Sequence, residues 1–156
     1  MERLLNMKTS KVVRVSVIAA LYAVVTIVFA PLSYGLTQVR ISEALTVLPF
    51  IFPESVMGLF LGCFIANIYG GLGIIDVVFG SLATLIAAYL TSKMPSPLLA
   101  PLPPVLVNAV MIAYVLYYTL GYPLLPSMLY VGLGQFLSCY LIGLPLLFLL
   151  KKYLPK

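Results

Sequence analysis

Val15-Ser16-Val17-Ile18-Ala19-Ala20-Leu21-Tyr22-Ala23-Val24-Val25-Thr26-Ile27-Val28-Phe29-Ala30-Pro31-Leu32 contains no charged residue, and it follows the cations Arg3, Lys8, Lys11 and Arg14. Its length approaches the roughly 20 apolar residues that cross a hydrocarbon core of about 30 Å, where a helix keeps its backbone polar groups paired within itself. Cations before an apolar run also describe a signal peptide, but this run exceeds the apolar core of about 7–15 residues typical of one. It therefore reads as a first transmembrane helix that stays in the mature protein.

The rest of the chain repeats this character. Of 156 residues, 63% are hydrophobic and 8% charged, with a mean hydropathy of +1.15, well beyond the composition of soluble domains. The alternation of a transmembrane β-barrel is missing. The expectation is an all-α integral membrane protein in which residues 1–156 form a single bundle of six transmembrane helices.

Proline and glycine set the expected boundaries. Helix one runs from Val12 to Ala30, before Pro31 and a polar loop with Ser33, Tyr34, Gly35, Thr37 and Gln38. Helix two is short, from Ser42 to Phe52, and fits a half-depth or re-entrant segment as well as a tilted span; Pro53 opens helix three, which continues to Tyr69. The run Gly70-Gly71-Leu72-Gly73 allows a tight reversal through positive φ, and helix four covers Ile74 to Thr91. Pro95, Pro97, Pro101, Pro103 and Pro104 read as a semi-rigid connector. Helix five spans Val105 to Leu120, Gly121 to Pro126 close it, and helix six spans Met128 to Leu150.

With six crossings both termini share one side, and Arg3, Lys8, Lys11, Arg14, Lys93, Lys151, Lys152 and Lys156 fall on it. The positive-inside rule makes that side cytoplasmic. The net charge of +5 thus reports membrane topology and no nucleic-acid partner. Cys63 and Cys139 lie far apart in apolar helices and suggest neither a disulfide framework nor a metal site. The chain has no histidine, so the commonest metal ligand and general base are missing; no metal, cofactor or catalytic role is expected.

Charges within membrane segments cost at least about 2.5 kcal/mol each on insertion scales, so those not explained by topology are functional candidates. Arg40, Glu43, Asn67 and Asp76 gather at the external end, with Tyr34, Tyr69 and Tyr122 at the same level. Structural alternatives stand beside that reading. Arg40 and Glu43 fit an i,i+3 pair with Arg40 snorkelling to head groups. Asp76 suits a helix start, and the tyrosines suit an interfacial belt. Asn108 and Gln135 lie deeper, where they serve a ligand or an interhelical bond. Glu54 is explained by its place in the first turn of helix three. Ala19 and Ala23, overlapped by Ser16 and Ala20, and the set Gly58, Gly62 and Ala66 permit close helix approach. No inverted repeat marks a self-sufficient carrier, though a secondary carrier or channel remains the alternative function.

Three stretches carry a resemblance. Gln38-Val39-Arg40-Ile41-Ser42-Glu43-Ala44-Leu45-Thr46-Val47-Leu48-Pro49 is followed by Asn67-Ile68-Tyr69-Gly70-Gly71 with Asp76, and then by Gly80-Ser81-Leu82-Ala83-Thr84. The chain resembles the QueT family over essentially its whole length. That resemblance implies a substrate-binding (S) component of an energy-coupling-factor (ECF) transporter in a prokaryotic cytoplasmic membrane. The implied ligand is a queuosine precursor, a 7-deazaguanine bearing an aminomethyl or nitrile group. The implied partner is an ECF module of one transmembrane coupling subunit and two ATPases; no Walker motif is present in this chain. In such components an AxxxA pattern in helix one faces the coupling subunit, and Ala19 and Ala23 match it. The site so implied comprises Arg40, Glu43, Asn67, Tyr69, Asp76, Asn108 and Gln135, with the two carboxylates dividing ring and ammonium between them in either order.

Overall fold

The structure is a computed structural model that describes residues 2–34 and 39–153, with side chains from Thr9 onward in the first stretch. Gly35, Thr37 and Gln38 of the expected polar loop lie outside the described residues, as does Lys156. The elements are α1 (Glu2–Val28), extended by a short turn at Ala30–Ser33; α2 (Ile41–Phe50); α3 (Ser55–Gly70); α4 (Asp76–Thr91); α5 (Leu102–Leu120); and α6 (Leu124–Tyr153). Three helical stretches are long and apolar enough to cross a membrane, namely Thr9–Val28, Pro97–Leu120 and Leu124–Tyr153, while α2, α3 and α4 are shorter apolar helices.

Several boundaries differ from the expected ones. The first helix reaches back to Glu2, so the leading cations ride on α1 itself. The proline-rich stretch, read as a semi-rigid connector, is largely built into helical structure. Pro97–Leu99 forms a 3-10 turn, Pro103 and Pro104 sit buried in the first turn of α5, and the buried Ala100 carbonyl accepts from Thr91 Oγ1 at 3.0 Å. Proline fits there because a first-turn N–H has no intrahelical acceptor to lose. The same reason lets α6 begin at Leu124, ahead of Pro126. The Gly70–Gly73 reversal forms as expected, with Gly71 at φ 69° and Gly73 at φ 98°.

Glycines set how α1 meets α3. A Cβ on Gly58 would lie 2.7 Å from the Val15 carbonyl oxygen, and one on Gly62 would lie 2.7 Å from that of Ala19. Residues 15 and 19 therefore pair in order with 58 and 62, and the two helices run parallel. The chain must return across the same thickness between them, and α2 makes that return. It is a 3-10 helix of ten residues, so at about 2.0 Å per residue it covers ~20 Å, against ~15 Å for the same residues as α-helix. Seven of its ten side chains are buried, as expected for an apolar helix enclosed on all sides. Gly143 of α6 comes within what would be 2.8 Å of the Ala44 carbonyl oxygen, and Val47, Ala100 and Leu147 form one core cluster. A second cluster joins Ile18, Tyr22, Leu59, Cys63 and Ala66, and a third joins Ala83, Ile112, Leu116 and Val131.

The molecule is inside-out by the standards of water. Val24, Ile65, Ile86, Leu106, Leu133 and Leu141 are exposed, while Arg40, Glu43, Asn67, Asp76, Asn108 and Gln135 are buried. An apolar surface of this extent suits lipid contact, and this is a membrane protein.

Candidate ligand-binding site

Every helix sends polar side chains to one buried cluster. Tyr22 and Thr26 come from α1; Arg40 stands just before α2, which adds Ser42, Glu43 and Thr46. Cys63 and Asn67 belong to α3, Asp76 and Thr84 to α4, Asn108 to α5, and Gln135, Ser138 and Cys139 to α6; each is 2% exposed or less.

Glu43 is held on one side only. The Tyr22 hydroxyl donates to Glu43 Oε1, and Asn108 lies against the same carboxylate. Glu43 Oε2 and Asn108 Oδ1 have no protein partner. Behind them Thr26 and Ser42 share a hydroxyl hydrogen bond at 2.6 Å, and Thr46 Oγ1 donates to the Glu43 carbonyl three residues back, a spacing that suits the 3-10 turn.

Arg40 neither snorkels nor pairs with Glu43, so the i,i+3 alternative is not what forms. Its backbone is extended, with φ −86° and ψ 104°, which turns the guanidinium toward α3. There Nε donates to the Ser33 carbonyl at 3.3 Å, Nη1 lies 3.8 Å from Cys63 Sγ, and the guanidinium carbon sits 5.2 Å from the Tyr34 ring centroid. Nη2 is buried with no protein partner. Thr84 and Asn67 also direct their donors at Cys63 Sγ, at 3.2 and 3.5 Å.

Asp76 opens α4 in a π-helical turn, Asp76–Gly80. Both of its carboxylate oxygens are buried without a protein partner, so it caps no helix end. Asn67 Nδ2 donates to the Asp76 backbone carbonyl at 3.1 Å, and Asn67 Oδ1 is left over. On α6, Cys139 Sγ lies 3.7 Å from Gln135 Oε1, beside a second π-helical stretch, Leu137–Gly143. π-turns are frequent where a helix is bent to serve a site.

Of the residues proposed from sequence, Arg40, Glu43, Asn67, Asp76, Asn108 and Gln135 meet in this cluster, whereas Tyr69 does not. It is 63% exposed; Tyr34 is the aromatic ring beside Arg40, held by its hydroxyl bond to the Ala66 carbonyl. Ala19 and Ala23 are 8% and 6% exposed and are covered by α3, because Gly62 has no Cβ to hold the helices apart. They therefore do not form an outer face; Ser16 and Ala20, one position round, do. Tyr22, Thr26, Cys63 and Thr84 were not singled out from sequence. The i,i+4 placement of Tyr22 and Thr26 within the uncharged run of α1 is the available signal. Away from the cluster, an apolar groove of about 380 Å³ runs between α4 and α5, lined by Ile75, Phe79, Met111, Tyr114, Val115 and Tyr118. It has no charged group to hold a polar ligand.

The family model of the QueT transporter matches residues 12–152. The chain belongs to the QueT transporter family. The match takes in every member of the buried cluster, from Tyr22 to Cys139. Over 81 residues the chain is 33% identical to the queuosine precursor transporter QueT of Lactococcus lactis subsp. cremoris (strain MG1363), an alignment covering 51% of this chain and 47% of that protein. The matched region thus spans about half the length of that curated relative. No solved structure matches.

Proposed function

We propose that this QueT family member binds a queuosine precursor of the 7-deazaguanine class in the buried cluster and imports it as the substrate-binding component of an ECF transporter, without catalytic activity of its own. One observation carries this reading. Among the buried polar atoms without a protein partner are one donor, Arg40 Nη2, and two acceptors, Glu43 Oε2 and Asn108 Oδ1. A guanine-type edge presents the complement: a carbonyl, a ring N–H and an exocyclic amine. Buried polar atoms without partners are costly, and a heterocycle with that edge would satisfy all three. The relative's printed function agrees with it.

In this reading the chain crosses the membrane six times with both termini in the cytoplasm. Arg14 pairs with Glu54 and lies over Phe52, and Lys151 lies over Phe50, so these cations share the end where α2 finishes. Clustered cations mark the cytoplasmic side, which puts Arg40 and Asp76 toward the outside. The ECF module would supply ATP hydrolysis and dock on the exposed Ser16 and Ala20 face of α1, in place of the buried Ala19 and Ala23.

Calorimetric titration of the purified protein with 7-deazaguanine and 7-deazaadenine tests the edge assignment. Binding of the guanine type alone is expected, because the adenine type inverts the donor and acceptor order. Equal binding of both, or of neither, overturns it.

A further inference from the structure

Where α3 meets α4 the cluster holds a further set of unpartnered atoms. Asp76 Oδ1, Asp76 Oδ2 and Asn67 Oδ1 are all acceptors. The Asn67 amide is oriented by chemistry, since its Nδ2 faces the Asp76 backbone carbonyl at 3.1 Å and a carbonyl can only accept. The two side chains converge on Gly80, where a Cβ would lie 2.6 Å from Asn67 Nδ2 and 3.1 Å from Asp76 Oδ1. Glycine at position 80 therefore leaves room for both groups in one corner.

The charges in the cluster do not balance. With both carboxyl groups ionised, buried Arg40 would set one positive charge against the two negative ones of buried Glu43 and Asp76, leaving one negative charge over. Arg40 bonds Ser33 and Cys63 and no carboxylate, and among the described residues the ion pair formed is Arg14 with Glu54. A buried carboxylate without a cation is unfavourable unless one is brought to it. A primary ammonium carries one positive charge, three N–H donors and no acceptor, matching this corner in sign and in number. A nitrile in the same place would aim an acceptor at three acceptors.

We infer that Asp76, together with Asn67 Oδ1, is the specificity determinant that selects a 7-deazaguanine carrying an alkylammonium at C7 over its neutral analogues. The inference rests on the Arg40, Glu43 and Asn108 edge holding the ring. Binding of the 7-aminomethyl, 7-cyano and unsubstituted 7-deazaguanines is measured on the wild-type protein and on Asp76→Asn. The wild type binds the amine about 30-fold tighter or more than either neutral ligand, the scale on which a buried charge pair loses affinity when one partner is removed. Asp76→Asn removes that preference while the neutral ligands keep their affinity, which also reports an intact fold. Comparable wild-type affinity for all three, or an equal loss of all three in the variant, overturns the selectivity and leaves the proposed function standing. Binding of none removes both.

Discussion

Tyr22 anchors one oxygen of Glu43 and leaves the other open. A carboxylate fixed in this way presents a directed acceptor without having to be oriented by the ligand. Removing the anchor strands a buried oxygen, at a typical cost of about 1–3 kcal/mol. Tyr22→Phe is therefore expected to lower the thermal unfolding midpoint in detergent; an unchanged midpoint would show that the hydroxyl contributes nothing. At this scale the charged and amide members of the buried cluster were legible in the sequence, because Arg40, Glu43, Asn67, Asp76 and Asn108 are costly in an apolar segment and need a reason. Hydroxyls and thiols are tolerated in such helices, which leaves Cys63 and Thr84 without a signal and Tyr22 with only its spacing from Thr26. Tyr69 stands outside the buried cluster with its ring exposed, and adjacency to Gly70 in sequence does not reveal that.

The elements depend on close backbone approach. A methyl at Gly62 would stand 2.7 Å from the Ala19 carbonyl oxygen and 2.8 Å from Tyr22 Cβ, whereas one at Gly132 would meet Ala109 Cβ at an ordinary 3.4 Å. Overpacking of the first kind costs about 1–3 kcal/mol, while glycine to alanine in a helix gains up to about 1 kcal/mol. Gly62→Ala should thus destabilise the protein and Gly132→Ala should not, as read by unfolding in mixed micelles; equal effects would refute the α1–α3 contact. The same contact separates two neighbouring alanines. Ala20→Leu is expected to spare ligand binding and reduce uptake in cells, while Ala19→Leu disturbs the fold itself; unimpaired uptake with Ala20→Leu would remove the docking face. Helix existence was readable from apolar runs between prolines and glycines. The 3-10 form of α2 was not, because ten residues buried nearly all round show no period, and first-turn prolines look the same in sequence as those of a linker.

The whole molecule places its polar groups within and its apolar groups toward lipid, so a ligand site and the membrane impose opposite demands on each helix. Topology follows from where the cations gather. Cys63 and Cys139 are buried and give a quiet background for labelling. A cysteine placed at Tyr122 should react with an impermeant maleimide in intact cells, and one at Ser92 only after permeabilisation. The reverse pattern would invert the topology and put the cluster near the inner surface.

In the proposed function, Glu43 and its neighbours hold the ring of the ligand. Its most direct test is calorimetric titration of 7-aminomethyl-7-deazaguanine into the wild-type protein and Glu43→Gln, which keeps the shape and removes the charge. Tight binding to the wild type and a loss of about tenfold or more in the variant are expected, equivalent to ~1.4 kcal/mol or more. Equal affinity of the two proteins would contradict it and return the cluster to a purely structural role.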